Sequence, residues 1–121
     1  MSVLGIDIGG SGIKGALVDV ETGAFLADRF RIPTPSPGNP DQVIEVIRRI
    51  VDHFEWEGKI GAGFPGLVRK GVIHLAANVS DEWLGEDLSK LIHKATGCPA
   101  TVLNDADAAG LAEMRFGEGK R

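Results

Sequence analysis

The chain has 121 residues, 43% of them hydrophobic, which is enough for one domain with a real core and excludes disorder as its native condition. Its net charge is −4, and no basic block occurs beyond Arg48-Arg49 and Lys120-Arg121, which argues against nucleic acid as the main partner. No apolar run approaches the length of a membrane span, residues 1–10 lack the basic start of a secretory leader, and the single Cys98 cannot form an intrachain disulfide, so a cytoplasmic protein is expected. In chain order, the apolar run Ser2–Ile8 predicts a first strand and Ile13–Val20 a second. Glu21-Thr22-Gly23 reads as a turn and Ala24–Ile32 as a third strand. Pro33, Pro35, Pro37 and Pro40, with Ser36, Gly38 and Asn39, make an extended loop. Asn39-Pro40-Asp41-Gln42 opens a helix: a capping Asn, Pro in the first turn and a carboxylate near the positive end. Val43, Val46, Ile47, Ile50, Val51 and Phe54 recur at helical spacing and give that helix one apolar face. Lys59–Phe64 is a short buried strand stopped by Pro65-Gly66. Leu67–Arg69 and Val72–Leu75 form a small hairpin around Lys70-Gly71. A second helix is expected over Asp87–Thr96, ended by Gly97, then a strand over Ala100–Leu103 and a third helix over Asp105–Phe116, ended by Gly117.

The principal order is β-β-β-α-β-α-β-α. Three sequential strands form an antiparallel meander, and the two later strands join it in parallel through right-handed crossovers. The expected fold is α/β: a mixed five-stranded sheet with helices on both faces, the arrangement of a ribonuclease-H-like half-domain.

The densest chemistry lies at residues 7–14, Asp-Ile-Gly-Gly-Ser-Gly-Ile-Lys. Gly9, Gly10 and Gly12 remove side chains, so a backbone turn can approach a ligand closely. Ser11 and Lys14 add a hydroxyl and a cation beside backbone N–H groups, which is equipment for phosphate oxygens. Asp7 stands at the strand end, where a carboxylate can hold Mg²⁺ through water. A P-loop is excluded because Lys14 precedes Gly15 and strand-like sequence follows; the dinucleotide fingerprint is excluded because no helix follows the glycines. A ligand-free hairpin turn needs one or two glycines; three, with Asp, Ser and Lys around them, favour a phosphate-reading tip.

A second constellation closes the last strand, at Asn104-Asp105. Ligands in open α/β sheets bind beyond the carboxyl ends of strands. Asn can donate to and accept from vicinal hydroxyls, and Asp can take the proton of a hydroxyl about to attack phosphorus. The same pair is also a good helix cap, and the small residues Ala106, Ala108, Ala109 and Gly110 would let that helix lie close to its neighbours.

Together these motifs resemble the actin/hexokinase superfold and, within it, the ROK family of sugar kinases. Asp7-Ile8-Gly9-Gly10-Ser11-Gly12-Ile13-Lys14 is similar to the family's Asp-x-Gly-Gly-Thr-x-x-Lys phosphate motif, with Ser for Thr. Leu103-Asn104-Asp105-Ala106-Asp107-Ala108-Ala109 is similar to its Leu-Asn-Asp-Ala-Asn-Ala-Ala motif, with Asp107 for Asn. Phe64-Pro65-Gly66, Ala76-Ala77-Asn78-Val79 and Trp83-Leu84-Gly85 look most like the polyphosphate glucokinases of that family. The resemblance implies a cytoplasmic hexose kinase moving a phosphoryl group from polyphosphate or ATP, with Mg²⁺, to the glucose 6-hydroxyl. It implies Asp105 as the base, with Asn104, Asn78, Pro65 and Gly66 around the sugar. Gly9, Gly10, Ser11, Gly12 and Lys14 would face the donor phosphates, and Asp7 would assist Mg²⁺. A kinase for fructose or N-acetylmannosamine, an inert fragment and a sugar-sensing protein share the same motifs. Family members are about twice as long, so residues 1–121 would be the N-terminal lobe, without a C-terminal lobe. By itself this lobe is expected to be inactive, to bind glucose weakly if at all and to pair as a homodimer; the partners implied for the intact protein are a sugar and a polyanionic phosphate donor, with no nucleic acid or membrane.

The remaining candidates read blandly. His53, His74 and His93 are expected to be solvated or to lack ligand spacing, Cys98 is expected to be a loop thiol, and Trp56 packing over the first helix. Trp83 suits either core packing or a pocket wall, since sugar faces stack on indoles.

Overall fold

The computed structural model describes residues 1–104. Strands β1 (Ser2–Ile8) and β2 (Gly12–Asp19) pair antiparallel from Ser2↔Asp19 to Ile8↔Ile13. Strand β3 (Phe30–Pro33) continues the meander, from Gly12↔Pro33 to Gly15↔Phe30. β4 (Ile60–Phe64) then lies parallel to β1, and β7 (Ala100–Asn104) parallel to β4. The sheet order is β3-β2-β1-β4-β7, the mixed five-stranded sheet expected. A separate hairpin, β5 (Gly66–Arg69) with β6 (Val72–Ala76), projects beyond the end of β4.

The third strand is shorter than the expected Ala24–Ile32. The chain leaves the turn as a hairpin partner, with the Asp19 N–H bonded to the Ala24 carbonyl and a single bridge between Val18 and Phe25, and then peels away. Ala24-Phe25-Leu26-Ala27 lacks the alternation that would bury one side, and Asp28 disfavours a strand. Residues 24–29 are exposed.

Helix α1 (Pro40–Phe54) starts as the sequence dictates. The Asn39 carboxamide oxygen accepts from the Gln42 N–H at 2.9 Å, and Gln42 Oε1 accepts from the Asn39 N–H at 3.1 Å, a closed capping box. Helix α2 (Leu88–Thr96) has Asp87 as its cap. The Ser89 hydroxyl donates to Asp87 at 2.7 Å and the Lys90 N–H at 3.2 Å; these bonds, the hydroxyl first, hold the carboxyl below its ordinary pKa. Gly97, at φ 78°, ends the helix.

Both helices bury against one sheet face. Leu4, Ile6, Ile8, Ile13, Ile60, Ala62, Phe64 and Val102 meet Val43, Ile47, Ile50, Leu88 and Ile92 in one core. The opposite face, by register, carries Gly5, Asp7, Lys14, Ala16, Gly61 and Gly63, and a Cβ added at Gly61 would meet nothing within 4 Å. The helix expected over Asp105–Phe116 lies outside the described residues. Among the described residues, no helix is long and apolar enough to cross a membrane.

A short 3₁₀ turn at Asp81–Trp83, not foreseen, drops Trp83 into the core. The indole is fully buried, edge-to-face on Phe64 at 5.1 Å, and its N–H donates to the Gly38 carbonyl at 2.9 Å. Trp83 is therefore packing and cannot be a pocket wall. Trp56 packs at the end of α1, with its indole N–H on the Lys59 carbonyl, and Cys98 is buried. His53 stays exposed but stacks flat on Phe30 at 3.8 Å.

Candidate functional site

The glycine turn is fastened through its carbonyls. The Gly9 N–H donates to the Gly12 carbonyl at 3.0 Å. The Thr34 hydroxyl donates to the Gly9 carbonyl at 2.6 Å. The Ser11 carbonyl accepts from Arg31 Nη2 at 2.8 Å and from the Thr34 N–H at 3.3 Å. Carbonyls held back in this way cannot repel an anion. Among the described residues, the N–H groups of Gly10 and Ser11 have no protein acceptor, and both residues are exposed. Two unpaired, exposed donors on a glycine turn are groups that can hydrogen-bond an anion.

The charged residues flank this turn on one sheet face. Asp7 stands directly opposite Lys14, and Lys14 directly opposite Arg31, across β1, β2 and β3. All three are exposed. The ion pairs among the described residues are Met1 with Glu21 and Arg48 with Glu45, so neither Lys14 nor Arg31 has a carboxylate partner there, and Arg31 is held by the Ser11 carbonyl. Asp7 alone does not make a protein cage for a metal, and among the described residues no three His, Cys, Asp or Glu side chains cluster as ligands. One carboxylate does suit Mg²⁺ that arrives on phosphate oxygens and keeps its waters.

The residues expected on the sugar side come from separate elements, and of them Asn78 meets the turn. Asn78, exposed and left-handed at φ 66°, lies so near that a Cβ on Gly10 would be 2.6 Å from the Asn78 Cβ. Two stretches 68 residues apart are thus brought into contact at the carboxyl end of β1. Gly66, at φ 156°, passes so close to the Leu75 carbonyl that no side chain fits there. The Pro65 carbonyl accepts from the Ala77 N–H at 2.8 Å, fixing the stem that carries Asn78. Asn104, at the end of β7, uses its carboxamide oxygen to accept from the Val68 N–H. That oxygen therefore holds the hairpin, a structural duty the sequence did not reveal. Asp105 lies outside the described residues.

Sequence reasoning missed Thr34 and Arg31. The signal was present in part: Thr34 sits between Pro33 and Pro35, where rigid backbone can aim a hydroxyl. Arg31 was hidden because the third strand was placed from Ala24, which obscured its position opposite Lys14.

Comparison with known proteins bears on the family and the fold. Over 117 residues the chain is 48% identical to a polyphosphate glucokinase of Mycobacterium tuberculosis, covering 96% of this chain and 44% of that protein. It is 33% identical to a glucokinase of Streptomyces coelicolor, covering 97% of this chain and 37% of that protein. The crystal structure of an inorganic polyphosphate/ATP-glucomannokinase from Arthrobacter sp. strain KM superposes with a TM-score of 0.90 at 45% identity, covering 98% of this chain and 49% of that one. The chain thus spans less than half the length of these relatives. The ROK family model matches residues 3–121, and the chain belongs to the ROK family.

Proposed function

We propose that residues 1–121 are the N-terminal lobe of a sugar kinase that transfers a phosphoryl group from polyphosphate or ATP to the 6-hydroxyl of glucose. The observation that carries this reading is the contact between the Gly10 turn and Asn78: an anion-binding turn and a sugar-side amide share one edge of the sheet. Relatives named as polyphosphate glucokinase and polyphosphate/ATP-glucomannokinase support the substrate pair.

In this reading the Gly10 and Ser11 N–H groups and the Lys14 ammonium take donor phosphate oxygens, Gly9 and Gly12 shape the turn, and Asp7 orients water on Mg²⁺. When bound, Mg²⁺ neutralises charge on the donor. Asn78, Asn104 and the Pro65-Gly66 turn hold the sugar, and Asp105 accepts the proton of the attacking hydroxyl. Most of the acceleration comes from positioning and charge stabilisation, and the base adds about 10²–10⁴. The lobe forms one wall of the cleft, so it is inactive alone; a homodimer is part of the proposal, checked by light scattering across a concentration series.

The test uses the full-length protein that carries this sequence, assayed with glucose and either donor. Asp105→Asn keeps the shape and an acceptor but cannot take a proton. The expected result is loss of at least about a hundredfold in turnover with glucose binding retained; a loss below about tenfold removes Asp105 as the base.

A further inference from the structure

We infer that Thr34 is a positioning residue for the phosphate donor, acting through the Gly9–Gly10 peptide; the inference rests on the kinase reading above. A trans peptide points its carbonyl and its N–H in opposite directions. The Thr34 hydroxyl grips the Gly9 carbonyl at 2.6 Å, so it also aims the Gly10 N–H the other way, out of the turn. A Gly-Gly link needs such a fastener. Neither residue has a Cβ to hinder rotation of the peptide between them, and a flip would replace a donor with a carbonyl oxygen facing the phosphate.

The grip is built from a distance in sequence. Thr34 is half-buried at the end of β3, just after Pro33, and its own N–H also reaches the Ser11 carbonyl at 3.3 Å. Arg31 Nη2 holds the same carbonyl at 2.8 Å, with its guanidinium over Gly12. The Gly9–Gly10 and Ser11–Gly12 peptides are thus both pinned, and the Ser11 N–H lies between them. Four residues beyond Thr34, the Gly38 carbonyl accepts from the Trp83 indole and, at 3.4 Å, from the Ser80 N–H. One short strap therefore ties the donor turn to the segment that follows Asn78.

The experiment compares Thr34→Val, which is isosteric but lacks the hydroxyl, with Thr34→Ser, which keeps it, in the full-length protein. Thr34→Val should raise the KM for ATP and for polyphosphate by the same factor, about three- to tenfold for one hydrogen bond. Turnover at saturating donor and the KM for glucose should stay within about twofold, and Thr34→Ser should restore the donor KM. Lys14→Met serves as the control on the underlying reading, with an expected rise of about tenfold or more for a charged contact. Should Lys14→Met weaken the donor while Thr34→Val does not, the positioning role is wrong and the kinase reading stands. Should neither matter, both fall. A measurement on unmutated protein guards against a variant that does not fold: adding tripolyphosphate should shift the Gly10 amide resonance in an ¹⁵N-labelled sample, and an unmoved resonance at saturation overturns the inference.

Discussion

The two halves of the candidate site are built in opposite ways. The proposed donor side is one short stretch, Asp7 to Lys14, whose turn, Gly9 to Gly12, offers mostly backbone. The proposed sugar side draws on Pro65-Gly66, Asn78 and Asn104, on three separate segments, and its chemistry is mostly side chain. The first is a local instruction that needs only a hairpin and two anchors. The second exists only when the sheet, the β5–β6 hairpin and the 3₁₀ turn are all in place. The donor turn should therefore respond to small local changes in how it binds, while the sugar side should respond to changes in how the protein folds.

Gly10→Val attacks a place where the halves touch, and it should have the largest effect. Its Cβ would fall 2.6 Å from the Asn78 Cβ, so the turn and the loop must separate. A loss in kcat/KM on the order of a hundredfold is expected with either donor, because the turn's N–H groups move from the phosphate. Near-normal kinetics would mean that the contact is incidental.

Trp83→Ala should separate the halves by stability. It removes a fully buried ring beneath the sugar-side loop and leaves the Gly38 carbonyl without its indole donor. Truncations of this kind cost about 3–5 kcal/mol. Denaturant melts should show that loss, and at a temperature where the variant remains folded the glucose KM should rise more than the donor KM. Equal rises would erase the distinction.

Asp87→Ala tests a helix cap that lies against the β5–β6 turn but carries none of the candidate site residues, and it sets the scale for a structural change. Loss of the cap should cost about 1 kcal/mol, with kinetic constants unchanged. The pH dependence has a definite sign. The folded carboxyl titrates below its ordinary value, mainly through the Ser89 hydroxyl, so its stabilisation is complete above that ordinary value and is lost as pH falls through the folded one. The gap between parent and variant should therefore be full at neutral pH and shrink below about pH 4, read from melting temperatures in a pH series.

Much of this was legible in the sequence, and the reasons divide along the same line. The glycine turn, the helix cap at Asn39, the apolar face of α1 and the parallel strands are written in short-range patterns, and each stands where the pattern places it. Trp83 was ambiguous because one indole serves a core or a sugar equally well until its neighbours are known; Phe64 and Gly38 decide it. The structural duty of Asn104 was invisible for a similar reason: its partner, Val68, is 36 residues away, in a hairpin whose placement no local spacing announces. The third strand misled because Phe25 and Leu26 look like strand residues, yet they remain 57% and 54% exposed.

The unpaired Gly10 and Ser11 amides have a methodological consequence. A surface made of peptide N–H groups has no side chain to delete, so an alanine scan across residues 9–12 misses the amides themselves: at Gly10 and Gly12 it reads only the clash of an added Cβ with Asn78 or Arg31. Reagents that modify side chains would pass over it as well. The direct probe is a change in the main chain itself. Semisynthesis that replaces the Gly9–Gly10 amide with an ester exchanges one N–H for an oxygen lone pair while every side chain stays as it was.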